Sequence, residues 1–143
     1  MAPDNSVGYM VRYAHRAFIK ALANELAPHG ISTAEWAVLR VLWGQDGYSQ
    51  AELARRMRIE KASLTGVLRE MERRGLLKRV RSASDRRCAI LSLTARGRGL
   101  QKKLPVCAAR INRRATRGFD RKNTTTLRNL LARTIANLEP KLL

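Results

Sequence analysis

Acidic residues are scarce in this chain: 11 Asp and Glu stand against 29 Lys and Arg in 143 residues. Histidine and cysteine are scarcer still, with two of each. His15 and His29 are accompanied by no Cys-x-x-Cys or His-x-x-x-His pairing, so the ligand spacing of a structural zinc site is missing. Cys88 and Cys107 do not make a disulfide framework, which fits a reducing cytoplasm. No apolar run approaches the length of a bilayer span, and the N-terminus lacks the basic, apolar, small-residue order of a secretion signal. Ser63 and Thr65 have no nearby His, the acids are too few for a paired-carboxylate site, and no glycine-rich phosphate loop follows a strand. These absences argue against an enzyme, a metal, a cofactor and a membrane partner.

What the chain does hold is positive charge, +18 in all with a pI near 11.5. Residues 1–48 are neutral, with four bases and four acids. Residues 49–103 carry sixteen bases and five acids, a net of +11, and residues 104–143 carry a net of +7. A neutral front followed by a concentrated basic middle is the footprint of a polyanion binder. A solvated basic surface and adhesion to an anionic membrane are the alternatives that charge alone leaves open.

Apolar residues at three- and four-residue steps from Val7 to Leu26 predict a first helix that ends near Pro28-His29-Gly30. Ser32 and Glu35 form a capping box ahead of a short helix from Trp36 to Trp43, apolar nearly all round and so expected in the core. Ser49 and Glu52 form a second box, opening a helix through Met57. Another helix is expected over Glu60–Arg74, with Gly75 as its left-handed C-terminal cap. Leu76–Arg81 and Cys88–Leu93 read as two short strands. Thr94 is expected to cap a long helix that Pro105 kinks or breaks, and Asn123 or Thr124 to start the last one, with Leu127, Leu130, Leu131, Ile135 and Leu138 as its stripe. Two helices joined by a tight break and followed by a hairpin make a winged helix-turn-helix. The fold class is thus mainly α: about six helices plus a two-stranded β-wing.

On a helical wheel of residues 60–74, Leu64, Val67, Leu68 and Met71 gather on one side. Ala62, Thr65, Gly66, Arg69 and Arg73 gather opposite, flanked by Lys61 and Ser63. Small residues allow close approach to bases, hydroxyls adapt to several base edges, and arginine pairs bidentately with guanine. Gly66 weighs toward this reading over a merely solvated face, because a mid-helix glycine costs about 1 kcal/mol against alanine. Ser49 and Gln50, at a helix N-terminus, are candidates for a phosphate contact.

Four stretches then carry a family likeness: SQAELARRM at 49–57, KASLT at 61–65, ERRGLLKR at 72–79, and DRR at 85–87 followed by LSLTARG at 91–97. In these the chain resembles the MarR family of bacterial winged-helix transcriptional regulators, from about Val7 to Leu138. The resemblance implies one domain over residues 1–143, with a DNA-binding lobe at 32–98 and dimerisation helices at 5–30 and 99–143. It implies a homodimer on double-stranded DNA in a bacterial cytoplasm, associated with the nucleoid, and more often a repressor than an activator. It also makes the hairpin a wing along the DNA backbone, comprising Arg79, Arg81, Ser84, Asp85, Arg86 and Arg87. Arg87 would enter the minor groove, Asp85 would orient it and Arg86 would lie near phosphate, since a narrow A·T-rich groove focuses negative potential on a long cation. The sequence departs from the family in Glu60, where Asp commonly caps the recognition helix, in Pro105, and in its excess charge.

Relatives of this kind often bind a small aromatic or anionic effector. Arg40 is the only charged residue between Trp36 and Trp43; a partly buried cation there needs an anionic partner, either a ligand carboxylate or Glu35 or Glu25, unless Arg40 simply reaches solvent. Tyr13, His15, Arg16, Trp36 and Trp43 could complete such a pocket, although core packing or a solvated face accounts for each alone. Two rival functions stay open: a nonspecific architectural nucleic-acid binder, and a thiol-based redox-sensing repressor in which Arg86 and Arg87 would activate Cys88.

Overall fold

The computed structural model describes residues 3–84 and 88–139. Helix α1 covers Val7–Leu26, α2 Thr33–Gly44, α3 Gln50–Met57 and α4 Lys61–Arg73; strands β1 (Leu77–Arg81) and β2 (Ala89–Leu93) follow, then α5 (Ala95–Gly99), α6 (Pro105–Ala115) and α7 (Arg121–Leu138). This is the expected mainly helical winged-helix order. The chain divides into two compact units, one up to Ala109 and one from Arg110.

Local chemistry explains where the helices start. Ser6 accepts from the Tyr9 amide at 3.1 Å. Both capping boxes form: Ser32 accepts from the Glu35 amide while Glu35 accepts from the Ser32 amide, and Ser49 and Glu52 do the same. The Ser49 hydroxyl and amide hold the Glu52 carboxyl below the usual carboxylate range. Glu60 sits at the N-cap of α4 with no side-chain capping bond, as its length predicts.

Two expectations need correction, the long helix after Thr94 and the start of the last helix, while the break expected at Pro105 is present. Thr94 does cap a helix, accepting from the Gly97 amide at 3.1 Å, but that helix is short and passes through a 3-10 turn at Leu100–Lys102. Pro105 then stands first in α6. A proline ring clashes with the preceding turn and lacks a donor, so it is accommodated where a helix begins. The last helix starts at Arg121, not at Asn123 or Thr124, because Asp120 accepts from the Asn123 amide at 2.7 Å and takes the cap for itself.

The core of the first unit gathers Leu26 from α1, Val38, Leu39 and Leu42 from α2, Leu53 from α3, Leu64, Leu68 and Met71 from α4, and Leu91 and Leu93 from β2. Each such side chain removed from water is worth about 1.5–3 kcal/mol, so one buried stripe per element suffices to dock the short helices. The strands pair antiparallel with Leu77 opposite Leu93 and Arg81 opposite Ala89. The free edge of β2 is covered in turn: the Leu91 amide donates to the Tyr48 carbonyl at 2.8 Å and the Gly47 amide to the Leu91 carbonyl at 3.1 Å.

Candidate nucleic-acid interface

Helix α4 turns its two faces as its sequence predicts. Leu64, Leu68 and Met71 are buried, while Lys61, Ala62, Ser63, Thr65, Gly66, Arg69 and Arg73 are exposed. A side chain added at Gly66 would meet open space, so nothing inside the protein requires glycine there. The two arginines differ. Arg73 grips Glu70 with two bonds, at 2.5 and 3.0 Å, and this contact lowers the Glu70 carboxyl below its usual range. Arg69 is exposed and makes no ion pair among the described residues.

A chain of polar contacts ties α3, α4 and β1 together. Gln50 Nε2 donates to Thr65 Oγ1 at 3.1 Å and to the Lys61 carbonyl at 3.2 Å. Gln50 Oε1 accepts from Arg79 Nη2 at 3.4 Å, and Arg79 Nε reaches Glu72 at 2.6 Å. Both Gln50 Nε2 bonds are therefore made inside the protein. The Ser49 hydroxyl accepts from the Glu52 amide as the cap of α3, which leaves its own hydrogen available.

The hairpin continues from this network. Arg81 is exposed at the end of β1. The Ser82 amide donates to the Cys88 carbonyl at 2.9 Å, and the Ser82 and Ser84 hydroxyls lie 2.9 Å apart. Asp85, Arg86 and Arg87, the expected wing tip, lie outside the described residues. Cys88 is exposed and Cys107 buried.

Sequence reasoning missed the fittings that hold the hairpin against the helices. Asp46 accepts from the Leu93 amide at 3.1 Å and from Ser92 at 3.3 Å, and pairs with Arg98 at 3.0 Å. Gly97 lies so close to Leu76 that an added Cβ would stand 2.2 Å from its carbonyl oxygen. The Gly97 carbonyl also accepts from Trp43 Nε1 at 3.0 Å, and Thr94 Oγ1 donates to the Gly75 carbonyl at 2.6 Å. The LSLTARG stretch is legible as a signature; its reason is this close approach. Asp46 leaves only its position in a turn as a signal.

The expected effector residues fall into separate settings. Arg40 is exposed, not half-buried, and its guanidinium lies 5.8 Å from the centre of the Trp36 ring. Glu35 is no partner for it: at 5% exposure it binds Arg74 through both oxygens, at 2.7 and 2.9 Å. Arg40 lines a shallow cleft of about 330 Å³ with Ala37, Val41 and Met57, whereas Trp43 lines another of about 200 Å³ with Asp46, Arg98 and Gln101. On α1, Tyr13 stacks on Tyr9 at 4.3 Å, Arg16 lies 6.0 Å from the Tyr13 ring, and His15 is exposed. Among the described residues no His, Cys, Asp and Glu cluster could hold a metal ion, and no helix is long and apolar enough to cross a membrane.

Comparison with known proteins agrees with this geometry. The sequence profile of the MarR family matches residues 31–89. The transcriptional regulator TtmR of Methylorubrum extorquens is 34% identical over 101 residues, which is 71% of this chain but only about half, 52%, of that relative. The transcriptional repressor Rv2887 of Mycobacterium tuberculosis is 34% identical over 103 residues, 72% of this chain and 74% of the relative. Its solved structure, a MarR family protein in complex with salicylic acid, superposes with a TM-score of 0.74 at 28% identity over 94% of this chain and 99% of that one. The repressor CouR, solved on a 23-mer DNA duplex, superposes with a TM-score of 0.84 at 33% identity, covering 93% of this chain and 94% of that one. With its hairpin-buttressed pair of helices and a repressor of the same build matched over most of its length, the chain is a member of the MarR family of transcriptional regulators.

Proposed function

We propose that the chain is a homodimeric, sequence-specific DNA-binding repressor acting on a pseudo-palindromic operator. The observation that carries this is the exposed side of α4: a backbone made approachable by Ala62, Ser63 and Gly66, with Thr65 and an unpaired Arg69 beside it. In this reading α4 enters the major groove, with Lys61 and Arg73 flanking the bases. Amides at the start of α3 take a phosphate, and Arg79, Arg81, Ser84, Asp85, Arg86 and Arg87 form the wing, Arg87 in the minor groove. CouR on its duplex supports the reading by likeness.

Dimerisation is supported by apolar side chains left uncovered on both terminal helices: Val7, Met10 and Phe18 on α1, and Leu127, Leu130, Leu131 and Leu138 on α7. Two recognition helices would then read half-sites roughly 34–36 Å apart, one turn of DNA. Such a protein would work in the bacterial cytoplasm, on the nucleoid.

The decisive experiment is selection of bound sequences from random duplexes, followed by the ratio of selected to random affinity at one salt concentration. A regulator gives ~10³ or more; a ratio near one makes the chain an architectural binder instead. Light scattering at micromolar concentration should return twice the 16.1 kDa chain mass.

An aromatic carboxylate is the proposed releasing effector, by likeness to the salicylate complex of Rv2887. The cleft beside Arg40 supports this reading, with Trp36 beside the cation and Met57 and Val41 as apolar walls. Salicylate should lower operator affinity, and Arg40→Ala should remove that response while leaving ligand-free binding intact.

A further inference from the structure

The positive charge of the second compact unit is not used by any of the roles above. Arg113 and Arg114 close α6, Arg117 follows in the turn, and Arg121 and Lys122 open α7; all five are exposed. None of the five forms an ion pair among the described residues. Arg113 and Arg114 stand three and four residues after Arg110 on α6, so the three share one side of that helix, and Arg117 continues the positive charge into the turn after it.

The corner that presents them is built from its own hydrogen bonds. Gly118 takes φ +84°, the Phe119 amide donates to the Thr116 carbonyl at 3.0 Å, and Thr116 Oγ1 donates to the Asn112 carbonyl at 2.9 Å. Asp120, the only acid between Arg110 and Lys122, is turned to the Asn123 amide as the α7 cap. Five like charges on an ordered corner repel one another, which favours a bound polyanion that would neutralise them.

We propose that this corner, Arg113 to Lys122, is a second, sequence-independent binding surface for the phosphate backbone of duplex DNA. Four of its five cations are arginine, whose planar fork matches phosphate oxygens in pairs, whereas lysine offers a point charge. None of the five belongs to α3, α4 or the hairpin, so the surface would add affinity for any duplex and no discrimination among them. It accounts for a charge beyond what the winged helix uses.

The test uses the full chain and a random-sequence duplex, with affinity measured across salt concentrations. The variant R113Q/R114Q/R117Q/R121Q should flatten the logarithmic salt dependence by about 3.6, at roughly 0.9 for each phosphate no longer neutralised. R113Q/R114Q and R117Q/R121Q, made separately, should each give about half of this and provide the readout if the quadruple variant does not fold. R12Q/K20Q/K102Q/K103Q removes the same charge from exposed positions elsewhere and should flatten the slope by less than 1. An unchanged slope overturns the proposal, as does an equal change in that control. Binding to phosphatidylserine vesicles that the corner variants abolish, with the DNA slope unmoved, would overturn it in favour of a membrane. A protein that still selects one operator while its random-duplex slope ignores the corner keeps the regulator reading and loses this one.

Discussion

Gln50 Nε2 lies 3.1 Å from Thr65 Oγ1, so the first residue of α3 holds a hydroxyl on the exposed face of α4. That oxygen accepts from the amide and keeps its own hydrogen, so in the proposed reading Thr65 would donate toward base acceptors such as guanine N7 or O6. Gln50→Ala should leave the fold nearly intact, since one exposed hydrogen bond contributes about 0.5–1.5 kcal/mol. It should lower operator affinity about tenfold. Thr65→Ser should retain selectivity and Thr65→Val should lose it, as read by binding to a panel of single-base operator variants.

Gly66→Ala separates stability from function. Added side-chain atoms meet nothing, so the helix should gain about 1 kcal/mol and the thermal midpoint should rise by several degrees. Operator affinity should nevertheless fall, because the methyl group would keep the backbone from the bases. A more stable protein with undiminished affinity would remove α4 from the groove.

Arg69 and Arg73 should behave differently despite being one turn apart. Arg69→Ala should cost about 1–3 kcal/mol of discrimination at one base pair per half-site. Arg73, already held by Glu70, should lose less. A uniform loss over all sequences in Arg69→Ala would assign that residue to phosphate. Arg87→Ala should weaken operator binding sharply with the dimer still folded, measured by fluorescence anisotropy alongside light scattering.

Gly97→Ala forces a methyl group against the Leu76 carbonyl and the Leu93 side chain. Backbone on one side and a filled core on the other leave no room to yield, so about 2–4 kcal/mol of stability should be lost. Denaturant unfolding followed by circular dichroism measures it; an unchanged midpoint would mean the hairpin does not pack on α5 as described.

Glu35→Ala removes two functions at once, the bond its carboxylate accepts from the Ser32 amide ahead of α2 and the partner of Arg74. Loss of one member of a buried pair costs about 3–5 kcal/mol. The Arg74 side chain is 24% exposed here, so water offsets part of this and about 2–4 kcal/mol is expected by the same measurement.

Much of this architecture is legible because its signals are local. Ser32 with Glu35, Ser49 with Glu52, and Gly75 after α4 satisfy helix ends within three or four residues, so their spacing alone announces them. Spacing places the last helix two to three residues late, because Asp120 competes for the cap and spacing does not say which residue wins. Pro105 reads as an interruption, and the chain does break there, with Pro105 opening the next helix.

The site divides along the same line. Which face of α4 is apolar and which carries Thr65, Gly66 and Arg69 follows from a period of 3.6 residues, and the sequence by itself determined it, together with the helix–helix–hairpin order and the excess of positive charge. Tertiary structure alone decided that Gln50 turns inward to Thr65, that Glu35 pairs with Arg74 rather than Arg40, and that Asp46 pins β2. Those contacts join residues 15 to 52 positions apart. A side chain's partner is chosen by which elements the core brings within about 3 Å, and burial of Leu39, Leu64, Leu68 and Leu91 is what brings them there.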